Sequence, residues 1–153
     1  MRLRVVWTGK TKDAHLRALI NEYVGRLAHF VGCEISELSE AKGHASRAGI
    51  ERDSRRISDA LRYATVTILL DPAGNQWSST ELAAQVQQWE NSGIKEIAFV
   101  VGGPNGVSGS VVSRADKRWS LSPLTLTHEM ARVLLLEQLY RAYTINRGLP
   151  YQK

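Results

Sequence analysis

Residues Ile97-Ala98-Phe99-Val100-Val101 run without a polar break into Gly102-Gly103-Pro104-Asn105-Gly106. An apolar run of that length, ended by a turn signal, fits a central strand covered on both faces. The glycines leave bare backbone at its carboxyl end, where a small ligand can touch amides and carbonyls. Further on, Trp119-Ser120-Leu121-Ser122-Pro123-Leu124-Thr125-Leu126-Thr127-His128 supplies a second loop of small and hydroxylated residues just before a long helical pattern. The two loops predict two walls of one pocket.

Outward from that stretch, the chain alternates strands with helices. Arg2 to Thr8 predicts a first strand. Asp13 is placed to cap a helix reaching about Phe30, whose Leu16, Leu19, Ile20, Tyr23, Val24 and Leu27 fall on one stripe. Cys33 to Leu38 alternates with period two, as a half-exposed edge strand does. A polar segment with Gly43 and Gly49 leads into a helix from about Ala48 to Tyr63. Thr65 to Leu70 reads as a strand ended by a turn at Asp71-Pro72-Ala73-Gly74-Asn75. Ser78 and Glu81 have capping-box spacing for a helix through Trp89, which Asn91-Ser92-Gly93 closes. After the strand Glu96 to Val101 come a short helix from about Ser108 to Ala115 and a last strand at Lys117 to Leu121. The final helix runs from about His128 to Asn146, with Gly148 and Pro150 stopping it. The expected fold class is α/β with a mainly parallel sheet, in one domain over residues 1–153.

With 20 Lys and Arg against 15 Asp and Glu, the net charge of +5 favours anionic partners, nucleic acid first among them. Arg52, Arg55 and Arg56 fall on one side of their helix, and Arg47 and Arg62 extend that side. Two readings of this face stand side by side: a solvated surface partly neutralised by Glu51, Asp53 and Asp59, and an RNA-binding patch. No window approaches the roughly 18 unbroken apolar residues of a membrane span, and the charged start of the chain is too briefly apolar for a signal peptide. Cys33, the single cysteine, has no partner for a disulfide, which suits a cytoplasmic protein.

Several chemistries drop out. Gly9-Lys10-Thr11 follows a strand, yet Arg4 stands where a phosphate-binding loop needs its first glycine. The Gly102 to Gly106 turn misses dinucleotide spacing, and Pro104 removes an amide that a pyrophosphate would use. That turn fits either an adenosine lacking phosphates or an ordinary strand-to-helix connection. His15, His29, His44 and His128 are too scattered for a metal site, so no metal is expected. No Gly-x-Ser-x-Gly elbow is present.

Val101-Gly102-Gly103-Pro104-x-Gly106, Trp119-Ser120-Leu121-Ser122-x-Leu124-Thr125-Leu126-x-His128, Arg132-x-x-x-x-Glu137-Gln138-x-Tyr140-Arg141-Ala142 and Pro150-Tyr151, in that order, resemble the ribosomal RNA large-subunit methyltransferase H family. The resemblance implies a SPOUT-class enzyme: a Rossmann-like domain with a C-terminal trefoil knot, which departs from the usual absence of threaded chains. It also implies S-adenosylmethionine as cofactor, a homodimer, and methylation of N3 of a pseudouridine in the large-subunit ribosomal RNA of the ribosome. Carried over by motif, the cofactor contacts become Leu70, Gly102, Gly103, Leu121, Ser122, Pro123, Leu124, Thr125, Leu126 and Thr127. Arg132, Tyr140, Arg141 and Tyr151 become candidates for the RNA side. The chain departs from the family at Asn105, at Thr127 before His128, and at Gln152, where the family ends in Pro-Tyr-His.

The chemistry expected of such a site is mostly positioning. A pseudouridine N3 proton has to leave, and a fixed cation beside the base stabilises the resulting anion. Arg141 is assigned that role, with His128 for proton transfer and Tyr151 beside them. In the final helix, Met130, Val133, Leu134, Leu135, Leu136, Leu139, Tyr140 and Tyr143 cover more than one face, which predicts a homodimer. The competing readings are a non-catalytic RNA-binding or ribosome-associated protein, and a small-molecule nucleotide-binding enzyme.

Overall fold

The computed structural model describes residues 1–151. Its elements are β1 (Arg2–Thr8), α1 (Ala14–Leu27), β2 (Gly32–Leu38), α2 (Arg47–Ala60), β3 (Val66–Gln76), α3 (Ser79–Asn91), β4 (Glu96–Val101), α4 (Gly109–Arg114), β5 (Lys117–Ser120) and α5 (His128–Asn146). Five strands form one all-parallel sheet in the order β2-β1-β4-β3-β5. The chain moves outward from β1 to the edge strand β2, then crosses to β3 and returns to fill the centre with β4.

Side-chain alternation on these strands supplies two cores. Leu3, Val5, Trp7, Ile97, Phe99 and Val101 face α1, α3 and α5, while Val6, Ala98 and Val100 face α2 and α4. Every residue of β4 is buried, as its unbroken apolar run predicts. Helix starts follow local chemistry. The Asp13 carboxylate accepts from the amides of His15 and Leu16, and Ser78 with Glu81 forms a complete capping box. Ser46 caps α2 by accepting from Gly49 N–H, which moves its start ahead of the expected Ala48.

Two expectations change. The turn read at Asp71 to Asn75 is part of β3: Leu70 and Asn75 both stand opposite Trp119 of β5, and the residues between them are extruded as a bulge. Gly74 is required there, because a Cβ would lie 2.5 Å from the Arg118 carbonyl carbon. The second concerns α5. Its several apolar faces are largely taken up within the chain, since α1 and α3 flank it and bury Val133, Leu135, Leu136, Leu139 and Tyr143. Met130 stays exposed, and Leu134 and Tyr140 are half-buried.

At the sheet's opposite end, Glu96 is 3 % exposed and paired with Arg2 and with Arg4, whose Nε donates at 3.0 Å. Burial pushes its carboxyl up, but the hydrogen bonds and charges of Arg4 and Arg2 outweigh burial and hold it below the ordinary glutamate value. A carboxyl lowered on folding stabilises the fold above its unfolded value of about 4.3, and that contribution is lost as pH falls through the folded value. Glu96→Gln is therefore expected to cost about 2 kcal/mol at neutral pH. The deficit should shrink in acid, and urea midpoints at about pH 7 and about pH 3.5 check both halves.

Candidate functional site

A cleft of about 360 Å³ opens at the carboxyl ends of β3 and β4, the end of a parallel sheet where ligands bind. Of the residues expected at a cofactor, Leu70, Gly102, Gly103, Leu121, Ser122, Leu124 and Leu126 line it, and His128 joins them from the first turn of α5. Thr127 instead caps α5, its hydroxyl accepting from Met130 N–H at 3.3 Å. Pro123 and Thr125 lie in the same loop but do not line the cleft. The sequence reading missed Asp71 and Pro72 from the β3 bulge, and Val107 and Val112 around α4.

The two walls are built by local bonds. Gly106 turns with φ +75°, and its N–H donates to the Gly103 carbonyl at 3.0 Å, closing the glycine turn on itself. Beyond the turn, Ser108 N–H donates to Ser54 Oγ at 3.0 Å, so buried Ser54 on the inner face of α2 anchors this wall. In the second loop, Ser120 Oγ donates to the Ser122 carbonyl at 2.9 Å, and Ser122 Oγ accepts from Leu124 N–H at 3.0 Å. A Cβ placed on Gly102 would first meet Val107 Cγ1, at 3.7 Å, between two residues of the cleft lining. One placed on Gly103 would point to Thr8 Oγ1, at 3.6 Å.

Charge at the cleft is mixed. The Asp71 carboxylate accepts from Ala73 N–H at 2.9 Å and from Arg118 Nε at 2.8 Å. These bonds outweigh burial, keep its pKa below the ordinary aspartate value and leave an anion on the rim at neutral pH. His128 is shifted the other way. Burial and the nearby Arg132 lower its pKa, against the opposing charges of Glu129 and Glu40, so its imidazole is neutral at pH 7.

The residues expected on the RNA side separate. Arg132 is a correction: it is 0 % exposed, its Nη2 donates to the Thr8 carbonyl and its Nη1 to Thr11 Oγ1, both at 2.9 Å. A guanidinium enclosed in this way does not meet RNA. Arg141 pairs with Glu137 one turn back, Nη2 to Oε1 at 2.7 Å, and stands 4.8 Å from the centre of the Tyr151 ring. Tyr151 in turn donates to Glu137 Oε1 at 3.0 Å and packs edge-on against Tyr140, with its hydroxyl 3.1 Å from that of Tyr23. At about 1.5 Å of rise per residue, Arg141 sits about 15 Å along α5 from Ala131, the last helix residue that lines the cleft. One chain therefore does not bring Arg141, Tyr140 and Tyr151 to the cleft. Arg52, Arg55 and Arg56 are exposed on α2. Arg52 and Arg56 also donate to the carbonyls of Lys42 and Ser39, which ties down the preceding loop. Gln152 lies outside the described residues. Among the described residues no group of three His, Cys, Asp or Glu could hold a metal, and no helix is long and apolar enough to cross a membrane.

Comparison with known proteins adds the family. Residues 1–152 match the family model described as "Predicted SPOUT methyltransferase". The chain is 42% identical over 151 residues to the ribosomal RNA large subunit methyltransferase H of Geobacter metallireducens, spanning 99% of this chain and 98% of that one. It is also 42% identical to the protein of that name from Geotalea uraniireducens, spanning 99% of each. Among solved structures, a probable methylase family protein from Haemophilus influenzae superposes with a TM-score of 0.60 at 13% identity, over 99% of this chain and 70% of that one. Lpg2936 from Legionella pneumophila, solved with the cofactor SAM bound, superposes at 0.50 and 13% identity, over 94% of this chain and 66% of that one. At such identities these structures speak for the fold.

Proposed function

This chain belongs to the SPOUT methyltransferase family, and from that premise we propose that it methylates N3 of a pseudouridine in large-subunit ribosomal RNA, using S-adenosylmethionine, on the assembled ribosome in the cytoplasm. The observation that carries the reading is the cleft itself. Its two loops are the ones whose motifs carry the resemblance to the large-subunit methyltransferase H family, and together they line it at the carboxyl ends of β3 and β4. Those loops standing side by side also suit the C-terminal knot that we include in this reading.

The residues present fit the cofactor. Apolar side chains of Leu70, Val107, Leu121 and Leu126 offer faces for an adenine, and Gly102, whose absent side chain would enter the cleft, keeps the backbone open to a ribose. When bound, S-adenosylmethionine supplies an electrophilic methyl group on a sulfonium. The Asp71 carboxylate on the rim is already offset by Arg118, and a neutral His128 adds no charge opposing a cationic ligand.

The RNA side needs a second copy. Arg141 is about 15 Å along α5 from its own cleft, so we assign the partner's Arg141 to each site in a two-fold homodimer. Half-buried Leu134 and Tyr140 and exposed Met130 on α5 remain available for that contact. In this arrangement the guanidinium stabilises the base anion as the N3 proton departs, and His128 accepts the proton. Arg52, Arg55 and Arg56 attract the surrounding phosphates. The test is methyl transfer from labelled S-adenosylmethionine to ribosomes of a strain lacking this gene, followed by mass mapping of the RNA. One added methyl on a pseudouridine of the large subunit is expected, and binding of RNA with no transfer would leave the non-catalytic alternative in place.

A further inference from the structure

Arg132 is enclosed in the second turn of α5, where a charged side chain carries a desolvation cost. Among the described residues its Nε is buried without a hydrogen-bond partner, and burial lowers its pKa against the opposing charges of Glu129, Glu37 and Glu40. An apolar side chain of similar volume would avoid that cost, while leaving the buried Thr8 carbonyl and Thr11 hydroxyl without this donor. What an apolar side chain would not reproduce is the fork. One nitrogen holds the Thr8 carbonyl at the end of β1, and another holds Thr11 Oγ1 in the loop beyond. Trp7 lies under the guanidinium at 4.7 Å, and Trp7 Nε1 is itself fixed by donating to Glu37 Oε2 at 3.0 Å.

Thr8 is the neighbour that a Cβ on Gly103 would meet, so the chain end held by Arg132 stands directly behind the glycine wall of the cleft. Gly9 then turns with φ +81°, and Asp13 N–H donates to Glu129 Oε1 at 3.0 Å, a second tie between this loop and the first turn of α5. That turn begins with His128, which lines the cleft.

We infer that Arg132 is a positioning residue for methyl transfer, which locks Thr8 and the 9–13 loop behind the Gly102-Gly103 wall and fixes the α5 turn that carries His128. The inference rests on the methyltransferase reading for its catalytic consequence alone. Its structural content is read independently through ligand affinity and the titration of His128. Around that imidazole, Arg132 and Lys12 oppose its protonation and Glu129 and Glu40 favour it, so removing Arg132 should raise its midpoint.

The experiment compares Arg132→Met, Arg132→Lys and Thr11→Val with the parent. It measures S-adenosylhomocysteine affinity, kcat and KM for ribosomes, thermal midpoint, and the His128 titration by NMR. Arg132→Met is expected to fold with a thermal midpoint lowered by a few degrees, because two buried acceptors lose their donor, to raise the His128 midpoint, to weaken the nucleoside at least about fivefold and to lower kcat at least about tenfold. KM for ribosomes should stay within about twofold, because the side chain touches no RNA. Arg132→Lys restores the charge and the His128 midpoint, but not the two-element fork, so its kcat stays low. Thr11→Val removes one acceptor and gives a smaller loss in the same direction, which decides the matter if the Met variant does not fold. A raised KM with kcat preserved would return Arg132 to the RNA side. Folded variants with parental affinity and an unmoved His128 midpoint would overturn the inference, whether or not the parent methylates ribosomes.

Discussion

Gly102→Val is expected to fold as the parent does and to bind S-adenosylmethionine at least about a hundredfold more weakly, a loss of about 2.8 kcal/mol. Gly102 does not have the positive φ that would strain a larger residue. The nearest atom to an added Cβ is a Val107 methyl at 3.7 Å, an ordinary contact, so the Cβ itself fits without a clash. Its branches would then occupy space between Gly102 and Val107 that belongs to the cleft. Gly103→Ala makes the comparison, because its Cβ turns to Thr8 and should cost little affinity. Calorimetry with a thermal melt on each variant separates blocked binding from unfolding. A folded Gly102→Val protein with parental affinity would remove the cleft as the cofactor site.

Arg141→Ala is expected to lower single-turnover methylation of ribosomes on the order of a hundredfold while cofactor affinity stays within about twofold. If the side chain served only its ion pair with Glu137, the cost would be a few tenths of a kcal/mol in stability and turnover would be near normal. The distance along α5 sharpens this into a complementation test. Each Gly102→Val chain still carries Arg141, and each Arg141→Ala chain still carries an intact cleft. Mixing the two inactive homodimers should therefore restore activity to about a quarter of the parent, through heterodimers with one complete site. No restoration, with heterodimers present, would place Arg141 in the service of its own chain.

Much of the site could be read early because its signals are local. Glycines before Pro104, and the serines and threonines ahead of His128, shape backbone wherever they stand, so both loops were legible from adjacent residues. Val107 and Val112 were not, since an apolar side chain looks the same whether it faces a core or a cleft. Arg132 misled for a different reason. Its acceptors Thr8 and Thr11 lie more than a hundred residues away in the chain, and only folding reveals that a cation there is enclosed. The same holds for Asp53 and Ser54 on α2, polar residues turned inward to hold Ala41 N–H and Ser108 N–H in loops that local patterns leave unplaced. At Asp71 to Asn75 the turn residues were correctly recognised, but strand pairing resumes at Asn75 and absorbs them into β3.

The bulge in β3 also separates two kinds of freedom. Ile68 to Leu70 are held in register with β5, and pairing picks up again at Asn75 and Gln76. The extruded residues between them take no part in that pairing, which leaves their number and side chains less constrained than either flank, so long as the glycine against Arg118 is kept. Asp71 and Pro72 on that segment line the cleft. The rim facing the ligand is thus adjustable in length and charge while the sheet beneath it stays constant, which makes this short segment the natural place to redesign ligand preference without rebuilding the core.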